Sequence, residues 1–151
     1  MLSAYFGRRL FRWYSIGTTQ FRNNKTITKF NEFVLFTSQV NSNQRFQGCS
    51  NLEEIILPQN LKLENLVFDG CPKLKAINIP SAITTIGRYC FRGCGSLKTI
   101  TSLPTTPPTW DTDSFSDVSP DVVYVPSASV SVYKTASGWS NFANVIQAIP
   151  E

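Results

Sequence analysis

The chain has no histidine and a single methionine. Without histidine it lacks the commonest general base and the commonest metal ligand at neutral pH. No apolar run reaches about 18 residues, the length a membrane-spanning helix needs. No G-x-S-x-G element or phosphate-binding glycine loop occurs, and no paired C-x-x-C spacing that would suggest zinc. A secretory leader is not recognisable either. Arg8, Arg9 and Arg12 interrupt what should be its apolar segment, and no small-residue cleavage site follows. An Arg-rich stretch without acids also has the composition of a transit-type peptide.

What remains suits a folded domain. The 151 residues are 42% hydrophobic and only 16% charged, enough apolar matter for one core. Eleven phenylalanines and nine prolines, with many Thr, Ser and Asn, favour strands and turns over long helices. The net charge of +4 is unevenly placed. Residues 1–25 carry Arg8, Arg9, Arg12, Arg22 and Lys25 and no acid, leaving nine basic and ten acidic residues for the rest. The basic character thus belongs to an N-terminal arm, and the body need not carry the basic face that a nucleic-acid-binding fold usually shows.

Three segments of the chain align. They are Phe46-Gln-Gly-Cys-Ser-Asn-Leu-Glu-Glu-Ile-Ile-Leu-Pro58, Phe68-Asp-Gly-Cys-Pro-Lys-Leu-Lys-Ala-Ile-Asn-Ile-Pro80 and Phe91-Arg-Gly-Cys-Gly-Ser-Leu-Lys-Thr-Ile-Thr-Ser-Leu-Pro104. Their common pattern is F-x-G-C-x-x-L-x-x-I-x-[LI]-P, with one extra residue before the third proline. Phe46, Phe68, Phe91 and Phe115 are spaced by 22, 23 and 24 residues. That period and the L-x-x-I-x-L strand signature are those of a leucine-rich repeat. Alternation turns Leu52, Ile55 and Leu57 inward, and proline then ends the strand because it cannot donate to the next ladder step. One repeat cannot bury its own apolar face, so neighbours must stack. Parallel strands are expected at about 55–57, 77–79, 100–103 and 122–125.

Both ends read as modified units. Upstream, residues 27–37 suggest a strand and a short helix. Downstream, Val122-Val-Tyr-Val-Pro126 repeats the strand, and Ser129 to Trp139 reads as a short helix. Ser127 or Ser129 is its candidate N-cap, and Gly138 lies near its end. Val145 to Ile149 reads as the last strand. The organisation expected is a basic aromatic arm at 1–25, an N-terminal capping unit at 26–45, repeats at 46–115, and a C-terminal repeat and cap at 116–151.

These motifs, with Ile83-Thr-Thr-Ile86-Gly-Arg-Tyr-Cys-Phe91, resemble the BspA-like leucine-rich repeats of bacterial surface proteins. So do Phe30-Asn-Glu-Phe-Val-Leu-Phe-Thr37, Pro107-Pro108 and the run from Val123 to Phe142. The resemblance covers roughly residues 26–149. It implies a single-domain, right-handed solenoid of parallel β-strands joined by short helical or 3-10 turns. It also implies protein or host-surface binding without catalysis or cofactor, and a cell-surface or secreted location. The sequence itself assigns no compartment. The alternative is a structural component of a larger assembly, such as a phage particle, docked through the arm.

Candidate functional residues follow from the alternation. Glu54 and Ile56 point outward, as do Ala76 and Asn78, Thr99 and Thr101, and Val122 and Tyr124. This mostly uncharged stripe is the candidate ligand surface or, read plainly, a solvated sheet. In the arm, Leu2, Phe6, Leu10, Trp13 and Tyr14 fall on one side of a helix and Arg8, Arg9 and Arg12 on another. This suggests a docking arm or a cap on the stack. Glu53-Glu54 is an acidic pair without acidic counterparts in the next repeats, and reads as solvated. Cys49, Cys71 and Cys94 share one repeat position, with Cys90 nearby. Buried free thiols are the expectation, although stacking also brings sulfurs close enough to consider a disulfide.

Overall fold

Each F-x-G-C-x-x-L-x-x-I unit forms one rung of a stack, and its residues pair with the same residues one repeat away. A computed structural model of the chain describes residues 21–30, 43–59, 61–110 and 113–151. Its strands are β1 (Lys29–Phe30), β2 (Glu54–Ile55), β3 (Ala76–Ile79), β4 (Thr85–Ile86), β5 (Thr99–Ser102), β6 (Thr109–Trp110), β7 (Val122–Val125) and β8 (Ile146–Ala148). They make three open sheets, ordered β1-β2, β3-β5-β7-β8 and β4-β6, with every pairing parallel. The expected strands are present with ends shifted by one or two residues, and every pairing is parallel; β2 pairs with β1 and not with β3, so the expected ladder of consecutive strands is interrupted there.

The register is strict. Ala76 pairs Thr99, which pairs Val122, while Thr101 pairs Tyr124, which pairs Gln147. Along the inward column Ile55, Ile77, Ile100, Val123 and Ile146 are all buried. At Pro58, Pro80 and Pro126 the proline carbonyl starts the return turn. The amides of Leu61, Ile83 and Ser129 donate to the carbonyls of Pro58, Pro80 and Pro126 at 3.2, 3.0 and 2.8 Å. Proline stops the strand because it has no amide, and its carbonyl then begins the bend.

A second ladder runs along the F-x-G side. The amides of Phe46, Phe68 and Phe91 donate to Val67, Cys90 and Ser114 at 2.9, 2.8 and 2.8 Å. Those bonds stack the rings of Phe21, Phe46, Phe68, Phe91 and Phe115 into one spine, with centroids 5.3, 5.6, 5.4 and 5.0 Å apart. Gly48, Gly70 and Gly93 follow two residues later at φ of 71°, 70° and 72°, the left-handed region glycine enters without a Cβ penalty. Asn23 and Asp117 hold the same place at φ of 58° and 66°, and these are the side chains that best tolerate that region.

That equivalence exposes a rung the sequence pattern hid. Phe21-Arg-Asn-Asn-Lys-Thr-Ile-Thr-Lys-Phe30 matches Phe46 to Ile55 position for position, with asparagines in place of glycine and cysteine. Asn24 Oδ1 accepts the amides of Thr26 and Ile27 at 2.8 and 3.0 Å and so builds the turn locally. This rung crosses residue 25, the division drawn between arm and capping unit. Residues 1–20 and 31–42 lie outside the described residues. The expected arm helix and the short helix of the front unit fall there.

The C-terminal unit differs from the expected single helix. The helix α1 runs only from Val130 to Thr135, between 3-10 turns at Ser127–Ser129 and Trp139–Phe142. Ser129 stands at its N-cap, but its hydroxyl donates to the Thr105 carbonyl at 2.8 Å rather than to the helix. Gly138, at φ of 80°, opens the second 3-10 turn instead of closing α1. The cause is burial of the aromatic pair. Tyr133 Oη donates to Pro104 O at 2.8 Å and Trp139 Nε1 to Pro108 O at 2.8 Å, and both side chains are fully buried. Sites on the 104–108 loop thus dictate where the helix stops. In the third repeat Ser102, the register partner of Ile79, takes the inward place in the core, where its hydroxyl lies 2.9 Å from Tyr133 Oη.

Candidate interaction surface

One face of the stack uses polar side chains to bind its rungs together. On the F-x-G side Asp69 is buried, accepts Gln47 Nε2 at 2.8 Å, and takes Arg92 Nε and Nη2 at 2.7 and 2.9 Å. The same guanidinium lies 4.2 Å from the Tyr89 ring centroid, and the Asp69 hydrogen bond raises its pKa further. This cluster clamps three rungs together. Beside β4, an open depression of about 540 Å3 is lined by residues including Leu61, Lys62, Glu64, Asn65, Thr84 and Thr85.

The sheet β3-β5-β7-β8 carries the sequence-derived candidates. Thr99 and Val122 align in one outward row with Ala76, and Asn78, Thr101 and Tyr124 in the other. Gln147 extends the second row, since it pairs with Tyr124. The outward candidates of the sequence end at Tyr124, one strand before it. Applying the same alternation to Val145–Ile149 would have found it. Glu54 and Ile56 stand at the front of the face. Glu54 pairs Lys29 in register and by an ion pair of 2.9 Å, and Ile56 is 49% exposed. The docking-arm residues Arg8, Arg9, Arg12 and Trp13 are outside the described residues, and so is any test of the assembly role that rested on them.

Charged groups on and beside this face are matched. Lys75 meets Glu53 at 2.7 Å and Lys98 meets Asp121 at 3.9 Å. Glu53 and Glu54 therefore have separate lysine partners and do not act as a pair. The hydrogen bond and charge of Lys75 hold the Glu53 carboxyl below its ordinary range.

The cysteines are interior. Cys49, Cys71 and Cys94 donate their thiols to the carbonyls of Phe21, Phe46 and Phe68 at 3.0, 3.1 and 3.2 Å, each reaching the Phe of the preceding rung. All four cysteines are buried and unbridged. Burial pushes the thiols up, Cys49 to about 11 and Cys94 to about 12, far from a reactive thiolate at neutral pH. Among the described residues no group of three or more His, Cys, Asp or Glu side chains could hold a metal ion. No described helix is long and apolar enough to cross a membrane.

A repeat whose every rung matches the next, with a Phe spine and parallel strand ladders, defines a class. The BspA type leucine-rich repeat region, in six copies, matches residues 14–141, and the chain belongs to that family. No curated protein matches the chain. Leucine-rich repeats of this family are in general protein-interaction modules and generally non-catalytic.

Proposed function

We propose that the chain is a right-handed leucine-rich-repeat solenoid whose β3-β5-β7-β8 face docks a protein partner, without chemistry of its own. The observation that carries this is the alignment of Ala76, Thr99 and Val122 beside Asn78, Thr101, Tyr124 and Gln147, on a face whose neighbouring charges are already paired. A matched array of side chains on a rigid ladder is pre-organised, which lowers the ordering cost of association. Stacked repeats commonly bind along such extended surfaces.

The test uses the full chain as bait, beside its Thr101→Arg and Thr85→Arg variants. Thr101 stands in the middle of the outward rows and Thr85 on the other sheet. The reading requires protein partners retained by wild type and Thr85→Arg and lost with Thr101→Arg, at unchanged melting temperature. Partners lost with Thr85→Arg and kept with Thr101→Arg would refute it.

A further inference from the structure

Five cations of the stack meet carboxylates. Lys29, Lys75, Arg88, Arg92 and Lys98 pair with Glu54, Glu53, Asp113, Asp69 and Asp121. Three exposed cations at the front of the stack meet none. Arg22, in the first rung, donates to Gln44 Oε1 at 3.4 Å. Lys73 donates to Asn51 Oδ1 at 2.7 Å, and the Asn51 amide group donates to the Lys25 carbonyl at 2.7 Å. Asn51 thus holds Lys25 and Lys73 on either side of it, on the turns that lead into the strands. Glu53, a carboxylate of the rung between them, is taken by Lys75. Lys134 is also exposed and without an ion pair, but it stands on α1 in the C-terminal unit.

The basic aromatic arm precedes this same end of the stack. It brings Arg8, Arg9 and Arg12 and no acid. Tyr14 lies seven residues before Phe21 in sequence, a reach of at most about 25 Å. The arm and the front edge can therefore meet one flat surface together. We infer that they bind the surface of an anionic lipid bilayer. The arm's apolar side enters the interface, and Arg8, Arg9, Arg12, Arg22, Lys25 and Lys73 lie over the headgroups.

Composition selects lipid over the other anionic partners. At helical spacing Leu2, Phe6, Leu10, Trp13 and Tyr14 share a side away from Arg8, Arg9 and Arg12. That is the pattern of a helix lying in a bilayer interface, the depth that Trp and Tyr prefer. The phosphates of a nucleic acid would engage the cations and leave the apolar side in water. Stable attachment to a bilayer surface takes two contributions, because a single apolar insertion is marginal and a basic patch must add to it. Each Lys or Arg close to an anionic surface contributes about fivefold in affinity. The three cations of the edge therefore weigh as much as the three arginines of the arm. Because the edge lies on turns that precede the strands, this binding does not rest on the docking face proposed above.

The test is flotation of the full chain with vesicles of phosphatidylcholine alone, and with vesicles containing about 30% phosphatidylserine. Saturable binding is expected to the second and not to the first. It should weaken at least about tenfold when salt rises from about 0.05 to about 0.5 M. Replacing Arg22, Lys25 and Lys73 together by Gln should weaken it about a hundredfold, at a melting temperature little changed. Replacing Arg8, Arg9 and Arg12 by Gln should do the same, and Phe6→Ser with Trp13→Ser should release the chain. Lys134→Gln, which removes one charge in the C-terminal unit, should alter affinity by less than about twofold. Absence of binding to the anionic vesicles, or equal binding to both kinds, would overturn the inference. Unchanged affinity in the Arg22, Lys25 and Lys73 variant would overturn it, as would retention of the Phe6 and Trp13 variant or a loss with Lys134→Gln as large as any other. Tighter binding to a single-stranded oligonucleotide than to the anionic vesicles would assign the cations to nucleic acid instead.

Discussion

Replacing Phe68 with alanine tests the spine that fixes the rungs. Phe68 is fully buried, with its ring 5.6 Å from Phe46 and 5.4 Å from Phe91. Removing a buried phenylalanine costs about 3–5 kcal/mol, depending on how far the site collapses. Here collapse is resisted on both sides. The Phe46 amide is tied to Val67 at 2.9 Å and the Phe68 amide to Cys90 at 2.8 Å, so neighbouring backbones cannot close the gap. The loss belongs near the top of that range, including about 0.5–1.5 kcal/mol for each ring pair. It approaches the whole stability of many domains, about 5–15 kcal/mol. Urea unfolding followed by tryptophan fluorescence would read it. Phe68→Leu, which keeps most of the volume, should lose only about 1–2 kcal/mol. The double variant with Phe91→Ala should be non-additive by at least about 0.5 kcal/mol, because the two rings touch. A Phe68→Ala loss below about 1.5 kcal/mol, or strict additivity with Phe91→Ala, would refute the stacked spine.

Gly87→Ala should destabilise by about 1–3 kcal/mol. A Cβ there would sit 2.6 Å from the Asn65 amide nitrogen and 2.7 Å from the Glu64 carbonyl oxygen, where two backbones pass. Gly95→Ala, with nothing within 4 Å, should stay within about 0.5 kcal/mol when both are compared by thermal unfolding. Tyr133→Phe should cost about 1–3 kcal/mol in the same assay, because Pro104 O and the buried Ser102 hydroxyl both lose their partner. The thiols predict an alkaline limit. Unfolded cysteines ionise near about 8.5, whereas folded Cys49 is pushed up to about 11 and Cys94 to about 12. Above the unfolded value the unfolded state holds fewer protons, so stability falls with rising pH until the folded values are passed. It should be level in this respect below about pH 8. Stability that rises between pH 9 and about 11, or native thiols that react at once with a disulfide reagent, would contradict the buried column.

The sequence made the rungs readable because each repeats its own constraints. L-x-x-I-x-L sets inside and outside, and proline ends the strand. Gly48, Gly70 and Gly93 mark the left-handed turn. The first rung was harder to see because Asn23 and Asn24 reach the same geometry with other side chains. Asn23 adopts the left-handed conformation, and Asn24 replaces a thiol bond with an asparagine turn. The C-terminal helix is shorter than the local pattern from Ser129 to Trp139 suggests, because its end is decided by partners distant in sequence. Trp139 bonds Pro108 and Tyr133 bonds Pro104, and no local propensity announces either. The outward stripe was legible from alternation.

The docking face is tested most directly by cross-saturation NMR on the labelled chain bound to a protein partner it retains. The account predicts that saturation from the partner enters through the amides of Thr99, Thr101, Val122, Tyr124 and Gln147, which the parallel register places on one face. Entry through Thr85 and Thr109 on the β4-β6 sheet, with the outward rows silent, would contradict it.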